Sequence, residues 1–147
     1  MQSIHHVSEF AVPDRVNVCI LHGKTVQEET SMVITNLNKI EKKKVEMEGV
    51  KQVFKQVPLS REDGAPHFSF RVFTLEPGGH TPYHNHPFEH LNYIIAGQGV
   101  VIREDGSEEA VSEGDFVMVL PGEQHQYRNS SKRKEFQFIC AVPIEYE

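Results

Sequence analysis

The sequence predicts an all-β protein, a jelly-roll barrel preceded by an N-terminal extension. Between residues 50 and 143, short segments rich in β-branched and aromatic residues alternate with turn sequences such as DG, PGG, AGQG and PG. So many short strands would expose many sheet edges unless two sheets pack together or one sheet closes on itself. A jelly-roll barrel is the simplest fold that meets this requirement.

The N-terminal extension covers residues 1–39. Apolar residues alternate with other residues from Val16 to Ile20, which predicts a strand. The next segment leaves two alternatives open, because TVQE at 25–28 has the form of a helix capping box while MVIT at 32–35 favours a strand. We expect the extension to pack on the barrel or on a partner subunit, with residues 12–22 pairing with a sheet edge in a homodimer.

The barrel itself is predicted over residues 40–147. Each of its segments is either bounded by Gly or Pro turns or alternates in hydrophobicity, the pattern of antiparallel strands. The strand segments are VKQVFKQVPL (50–59), HFSFRVFTLEP (67–77), HLNYIIAGQGVVIRED (90–105), EEAVSEGDFVMVLPGE (108–123), HQYRN (125–129) and KEFQFICAVP (134–143).

Composition excludes several classes of protein. The net charge is −6 over 147 residues and the Lys and Arg residues are scattered, so nucleic acid is not an expected partner. No apolar run reaches the roughly 18 residues of a membrane span, and the first residues lack the features of a signal peptide. We therefore expect no membrane partner and a cytoplasmic location, with Cys19 and Cys140 as reduced thiols.

Histidines are concentrated in one stretch, GGHTPYHNHPFEHLNYIIAG, and one more follows in GEQHQYRN. His84 and His86 are two residues apart, so on a strand they face the same side and can bind one ion together. An extended chain would carry His90 roughly 13 Å beyond His86. Pro87 offers a turn that brings His90 back to face His86.

These residues resemble the two sequence motifs of the cupin family. The stretch from Gly78 through the histidines to Gly97 is similar to the first motif, and Gly114 through His125 to Asn129 is similar to the second. Two positions depart from the usual pattern, because cupins mostly have Glu where His90 stands and Pro where Leu120 stands. The resemblance is greatest to small single-domain cupins with a four-histidine metal site.

The resemblance implies a cupin-type double-stranded β-helix that binds one divalent transition metal per chain. The implied ligands are His84, His86, His90 and His125. If the register after Pro87 slips by one residue, Glu89 replaces His90 as the alternative ligand. Nitrogen and oxygen ligands in this kind of site favour Mn or Fe, with Ni, Co, Cu or Zn as further possibilities.

Residues that lie on the same strand face as a predicted metal ligand are candidates for lining the pocket. Asn92 shares its parity with His90, and Tyr127 and Asn129 share theirs with His125. His80 follows the PGG turn and is a candidate for the pocket entrance.

The resemblance implies a metal-dependent oxygenase (dioxygenase), chemistry that similar cupins often carry out. Four neutral ligands leave the metal its full charge, which favours a small anionic molecule as the substrate. One alternative is a redox-neutral lyase or isomerase, with Glu89, His80 or Tyr127 as proton carriers. The other is a non-catalytic binding or sensor module. No catalytic residue is assigned at this level.

Overall fold

The structure, a computed structural model, describes residues 20–21, 24–25 and 32–147. By internal contacts the chain divides into residues 1–32 and residues 33–147. In the first unit, β1 (Ile20–Leu21) and β2 (Lys24–Thr25) pair as an antiparallel hairpin. Most of the predicted strand at 16–20 and of the TVQE segment lies outside the described residues. The homodimer and the boundary after residue 39 stay predictions.

In the second unit the strands form one antiparallel sheet of nine strands. They are β3 (Lys43–Lys44), β4 (Lys51–Leu59), β5 (Phe68–His80), β6 (His90–Ala96), β7 (Gln98–Ile102), β8 (Glu108–Ser112), β9 (Phe116–Val119), β10 (Gln126–Asn129) and β11 (Phe136–Pro143).

The long strand β5 joins the two halves of the sheet. Its first part, Phe68–Leu75, pairs with β11, while its last residue, His80, pairs with Arg128 of β10. The order is therefore β8-β7-β10-β5-β11-β6-β9, with β4 also pairing with β5. The sheet curls round its inner face. Among the described residues the helices are short 3-10 turns, which confirms the all-β class.

The segment just before β3 is neither of the two alternatives that the sequence left open. Residues 32–36 are exposed and have no regular structure, and a 3-10 helix follows at Leu37–Lys39. The Gln56 side chain of β4 donates hydrogen bonds to the carbonyls of Leu37 (2.9 Å) and Ile40 (2.8 Å). A contact distant in sequence therefore adds to the local cap at Asn36, whose side chain accepts from the N–H of Asn38.

The hydrophobic core fills one end of the curled sheet. Strand β11 alternates buried and half-buried residues, and its inward side chains pack beside Leu75 of β5 and Ile94 of β6. The turn after β6 passes close to β11 at Gly97, whose φ is +80°. A Cβ at Gly97 would collide with the carbonyl oxygen of Glu135, so only glycine fits here.

Candidate metal centre

Backbone pairing brings two histidines from distant parts of the chain side by side. His84 and His125 form an isolated antiparallel bridge, in which the N–H of each donates to the carbonyl of the other (3.1 and 2.9 Å). The N–H of Gly122 also donates to the carbonyl of His86 at 2.8 Å. The two histidine motifs are therefore connected before any metal is considered.

The three rings are oriented by their own neighbours. The Nδ1 atom of His84 donates to the carbonyl of Pro82 (3.0 Å), that of His125 donates to the carbonyl of Glu123 (2.9 Å), and that of His86 donates to the carbonyl of Phe88. A proton on Nδ1 leaves Nε2 as the nitrogen with the free lone pair. Such a bond to a backbone carbonyl is what orients a metal-binding imidazole.

The arrangement fits a metal ion. One ring nitrogen from each of His84, His86 and His125 lies within 4.8 Å of the others. The Nε2 atom of His86 is buried and has no hydrogen-bond partner among the described residues. Buried polar atoms are rarely left without a partner, so this atom points to a ligand. The three histidines are positioned to bind a metal ion.

His90 lies beside these three residues without joining them. It is buried, and its ring centroid is 3.7 Å from that of His86 and 5.8 Å from that of His125. Its Nε2 atom lies 3.3 Å from Nη2 of Arg71. A guanidinium can only donate, so the Nε2 lone pair accepts from Arg71 and cannot bind a metal at the same time. The fourth histidine ligand stays a prediction.

Glu89 is exposed, whereas His90 faces the interior. The chain bends at Pro87 and Phe88, and β6 begins at His90. Strand parity then directs Glu89 away from the three clustered histidines.

The environment favours the neutral form of three rings in this region, those of His86, His90 and His125. Burial lowers the pKa of His86, lowers the pKa of His125 to about 4 and lowers the pKa of His90 to about 2, and neighbouring positive groups add to the shifts. Neutral imidazole is the form that binds metals. The rings therefore need no deprotonation near neutral pH before a metal binds.

The histidines open into a cavity of about 320 Å³. Its wall is mostly apolar and aromatic, and the other polar side chains in it are few. The remaining lining residues are Val45, Met47, Val50, Val53, Arg71, Phe73, Thr81, Pro82, Phe88, Tyr127 and Cys140.

Of the four residues predicted to line the pocket, Tyr127 does so. Asn92 stands behind it and donates from Nδ2 to the Tyr127 hydroxyl at 2.8 Å. Asn129 is occupied with the backbone, since Nδ2 donates to the carbonyls of Leu75 and Lys134. His80 is half-buried and bonds to the carbonyl of Thr81, and Thr81 contributes to the wall instead.

Sequence reasoning did not find Arg71, Phe88 or the three apolar side chains that the segment before β4 adds to the wall, Val45, Met47 and Val50. Arg71 was the detectable one, because a charged residue between the apolar residues of FSFRVF is unusual for a buried strand. Phe88 stacks on His86, with centroids 4.5 Å apart, and on Tyr146 at 3.9 Å. The contact with Tyr146 joins residues far apart in the sequence, and no local pattern encodes it.

Known proteins share this fold and part of this sequence. Residues 71–142 match the family model described as "Cupin domain". The (R)-mandelonitrile lyase of Granulicella tundricola is 42% identical over 52 residues, which are 35% of this chain and 40% of that protein. The chain thus matches less than half the length of that relative.

Two solved structures are similar in fold. The polyketide cyclase RemF from Streptomyces resistomycificus superposes with a TM-score of 0.73 at 24% identity, covering 78% of this chain and 80% of that one. A predicted oxalate decarboxylase from Thermotoga maritima gives 0.67 at 24% identity, covering 76% and 99%. Residues 71–142 are thus similar in sequence to the cupin domain, and the two superpositions confirm the predicted double-stranded β-helix fold.

Among the described residues, we find no helix with the length and apolar character that crossing a membrane demands.

Proposed function

We propose that this cupin protein is a metal-dependent lyase that acts on a small organic molecule with an aromatic or apolar body. The observation that carries the proposal is the convergence of His84, His86 and His125 at the wall of an apolar cavity, with His86 Nε2 unpartnered. Three protein ligands leave coordination positions open, which is the arrangement of a catalytic site rather than a structural one.

The similar proteins favour redox-neutral chemistry over oxidation. One is named a lyase and another a cyclase, and neither name denotes an oxidoreductase. This support is partial, because the lyase matches over 40% of its own length. For this reason we propose a lyase first, and the oxygenase that the motifs alone suggested second.

A bound divalent ion would act as a Lewis acid on a substrate oxygen. The chain's own contribution begins with charge, because the described residues near the three histidines include no carboxylate ligand, and a neutral shell leaves the ion its full positive charge. The apolar walls exclude water and so strengthen that electrostatic effect. Mn or Fe is the ion we favour, with Ni, Co, Cu or Zn as further candidates.

Tyr127 is the proton carrier that the geometry favours among the three candidates. Burial raises the pKa of its hydroxyl above the ordinary value, so the group stays protonated. Asn92 donates to the Tyr127 oxygen, which leaves the Tyr127 proton free to be donated. Glu89 is exposed and His80 is outside the cavity wall, so neither faces a bound substrate.

His90 is the proposed fourth ligand in the loaded protein. Its ring already lies against His86, and a ring rotation that exchanges Arg71 for the metal would add a fourth nitrogen while an octahedral ion kept two positions open. The open coordination positions also keep an oxygenase as the second candidate, since such a site can bind a substrate and dioxygen together. A non-catalytic sensor would bind ligand and turn nothing over.

The test begins with metal analysis of protein purified without added metal. Cleavage of mandelonitrile is then followed by the absorbance of benzaldehyde, and oxygen uptake is followed with an electrode on the same samples. We expect stoichiometric metal, aldehyde release without oxygen uptake, and loss of both metal and activity in His86→Ala. His67→Ala, an exposed histidine outside the cavity, is the matched control. Oxygen uptake that tracks substrate loss would replace the lyase with the oxygenase.

A further inference from the structure

Arg71 is a charged side chain that the metal site does not use. It lies on β5 directly opposite Cys140 of β11, on the wall of the same cavity as the histidines. Its Nε atom is buried and has no partner among the described residues. A guanidinium carries five N–H donors, and a buried donor without an acceptor is costly.

The hydrogen bonds that Arg71 does make are long and go to neutral acceptors. Nη2 reaches the His90 ring nitrogen at 3.3 Å and the Cys140 sulfur at 3.3 Å, and Nη1 reaches the Tyr146 carbonyl at 3.5 Å. The guanidinium carbon also lies 5.3 Å from the centroid of the Phe73 ring. None of these groups is an anion, so they hold the guanidinium in place without neutralising it.

No carboxylate oxygen within the described residues comes within 4.0 Å of Arg71. Its charge reaches its neighbours: burial first, and Arg71 in addition, lowers the pKa of Lys55 and of His90. The nearby acids serve other groups, because Glu147 accepts from the Arg61 N–H and raises the pKa of Lys55, and Glu123 acts on His125. The cavity thus has a surplus of positive charge even without a metal.

We propose that Arg71 binds an anionic group of the substrate, and that the ligand is a small aromatic carboxylate with a second oxygen directed at the histidine cluster. The planar fork of Arg matches the two oxygens of a carboxylate. Phe73 and Phe88 offer apolar surface for the body of such a ligand. The inference rests on the proposed function and names its substrate class.

A purely structural role for Arg71 makes a different prediction. If the side chain only ties β5 to the C-terminal turn at Tyr146, its removal lowers stability and weakens all ligands alike. If it binds a carboxylate, its removal weakens carboxylates and spares neutral analogues of the same shape. The comparison of an acid with its amide separates the two roles.

The experiment is a calorimetric titration of the protein as purified with 3-hydroxy-3-phenylpropanoate and with its amide. We expect the acid to bind more tightly than the amide to the wild type. In Arg71→Gln the affinity for the acid should fall ~10- to 100-fold while that for the amide stays unchanged, and Arg71→Lys should recover part of the loss. Lys55→Gln removes a neighbouring cation outside the cavity wall and should change neither affinity.

Metal content and thermal unfolding are measured on every variant. A loss of metal or of stability can then be distinguished from a loss of carboxylate binding at Arg71. Unchanged metal with selective loss of the acid supports the inference. It is overturned if the wild type does not prefer the acid, if Arg71→Gln binds both ligands as the wild type does, or if both are weakened equally.

Discussion

The same strands build two ends of the barrel interior. We call the end at Leu75 and Ile94 the closed end, and the end that holds the cavity, with Arg71 and His90, the open end. On β6, Ile94 at the closed end is fully buried, while His90 at the open end faces the cavity. On β5, Leu75 and Arg71 differ in the same way. The two residues of each pair are four apart on one strand, so they lie on the same face of the sheet. One end of that face therefore carries hydrocarbon side chains and the other carries polar side chains.

Hydrogen bonding shows the same contrast. The buried side-chain atoms without a partner among the described residues are Arg71 Nε, His86 Nε2 and Asn92 Oδ1, and each lies in or next to the cavity wall. The closed end has hydrocarbon and aromatic side chains, which need no such partners. Stability is therefore concentrated at one end, and unsatisfied binding capacity at the other.

The largest expected effect of a single substitution is at the open end. His86→Ala removes one of three convergent nitrogens, and we expect metal affinity to fall more than ~100-fold because a ligand is lost outright. Metal content after dialysis against a weak chelator measures it. His67→Ala should retain the metal. If His86→Ala also retains it, the histidine cluster is not the metal-binding site.

The closed end should respond in stability instead. Leu75→Ala leaves a cavity among fully buried neighbours and should lower the free energy of unfolding by ~3 kcal/mol. Urea denaturation measures this loss. Leu91→Ala, at a half-exposed leucine of β6, should cost less than ~1 kcal/mol. Equal losses at the two leucines would show that the closed end is not the main source of stability.

How much the sequence predicts differs between these ends. The histidine cluster could be predicted because His84 and His86 are two residues apart, so that they share one strand face, and because His125 lies in the second of two recognisable motifs. The orientation of β5, that is, which of its faces points inward, could not be predicted. Hydrophobic alternation would turn Phe68 and Phe70 inward, yet they are 53% and 42% exposed, while Ser69 is buried.

The reason lies in long-range pairing. The register of β5 with β11 places Arg71 opposite the inward Cys140, and that pairing fixes which face of β5 points inward. No local pattern in HFSFRVFTLEP carries this information. The 3-10 turn at Leu37–Lys39 also has a contact of this kind, because Gln56 donates to the carbonyls of Leu37 and Ile40.

A smaller effect on metal affinity is expected at the fourth ligand, for which His90 and Glu89 are the two alternatives. His90→Ala should weaken metal binding ~10- to 100-fold if this ring exchanges Arg71 for the metal. Glu89→Ala should have no effect, because that side chain is exposed. Metal titration of the two variants in parallel decides, and loss of metal only in Glu89→Ala would reverse the assignment.

The smallest expected effect is on acid stability of the metal-free protein. Burial lowers the pKa of His125 from 6.5 in the unfolded chain to about 4 in the folded one, so the unfolded state takes up a proton first. Stability is then complete above pH 6.5 and falls as the solution is acidified through that value towards pH 4. His125 lines the cavity, where water can screen the charge and reduce the effect, and we expect a loss of ~1 kcal/mol by about pH 5. Urea denaturation of the chelated protein across this range measures the slope. His125→Gln cannot titrate and should give a shallower slope, whereas identical slopes would mean that His125 is not held neutral by the fold.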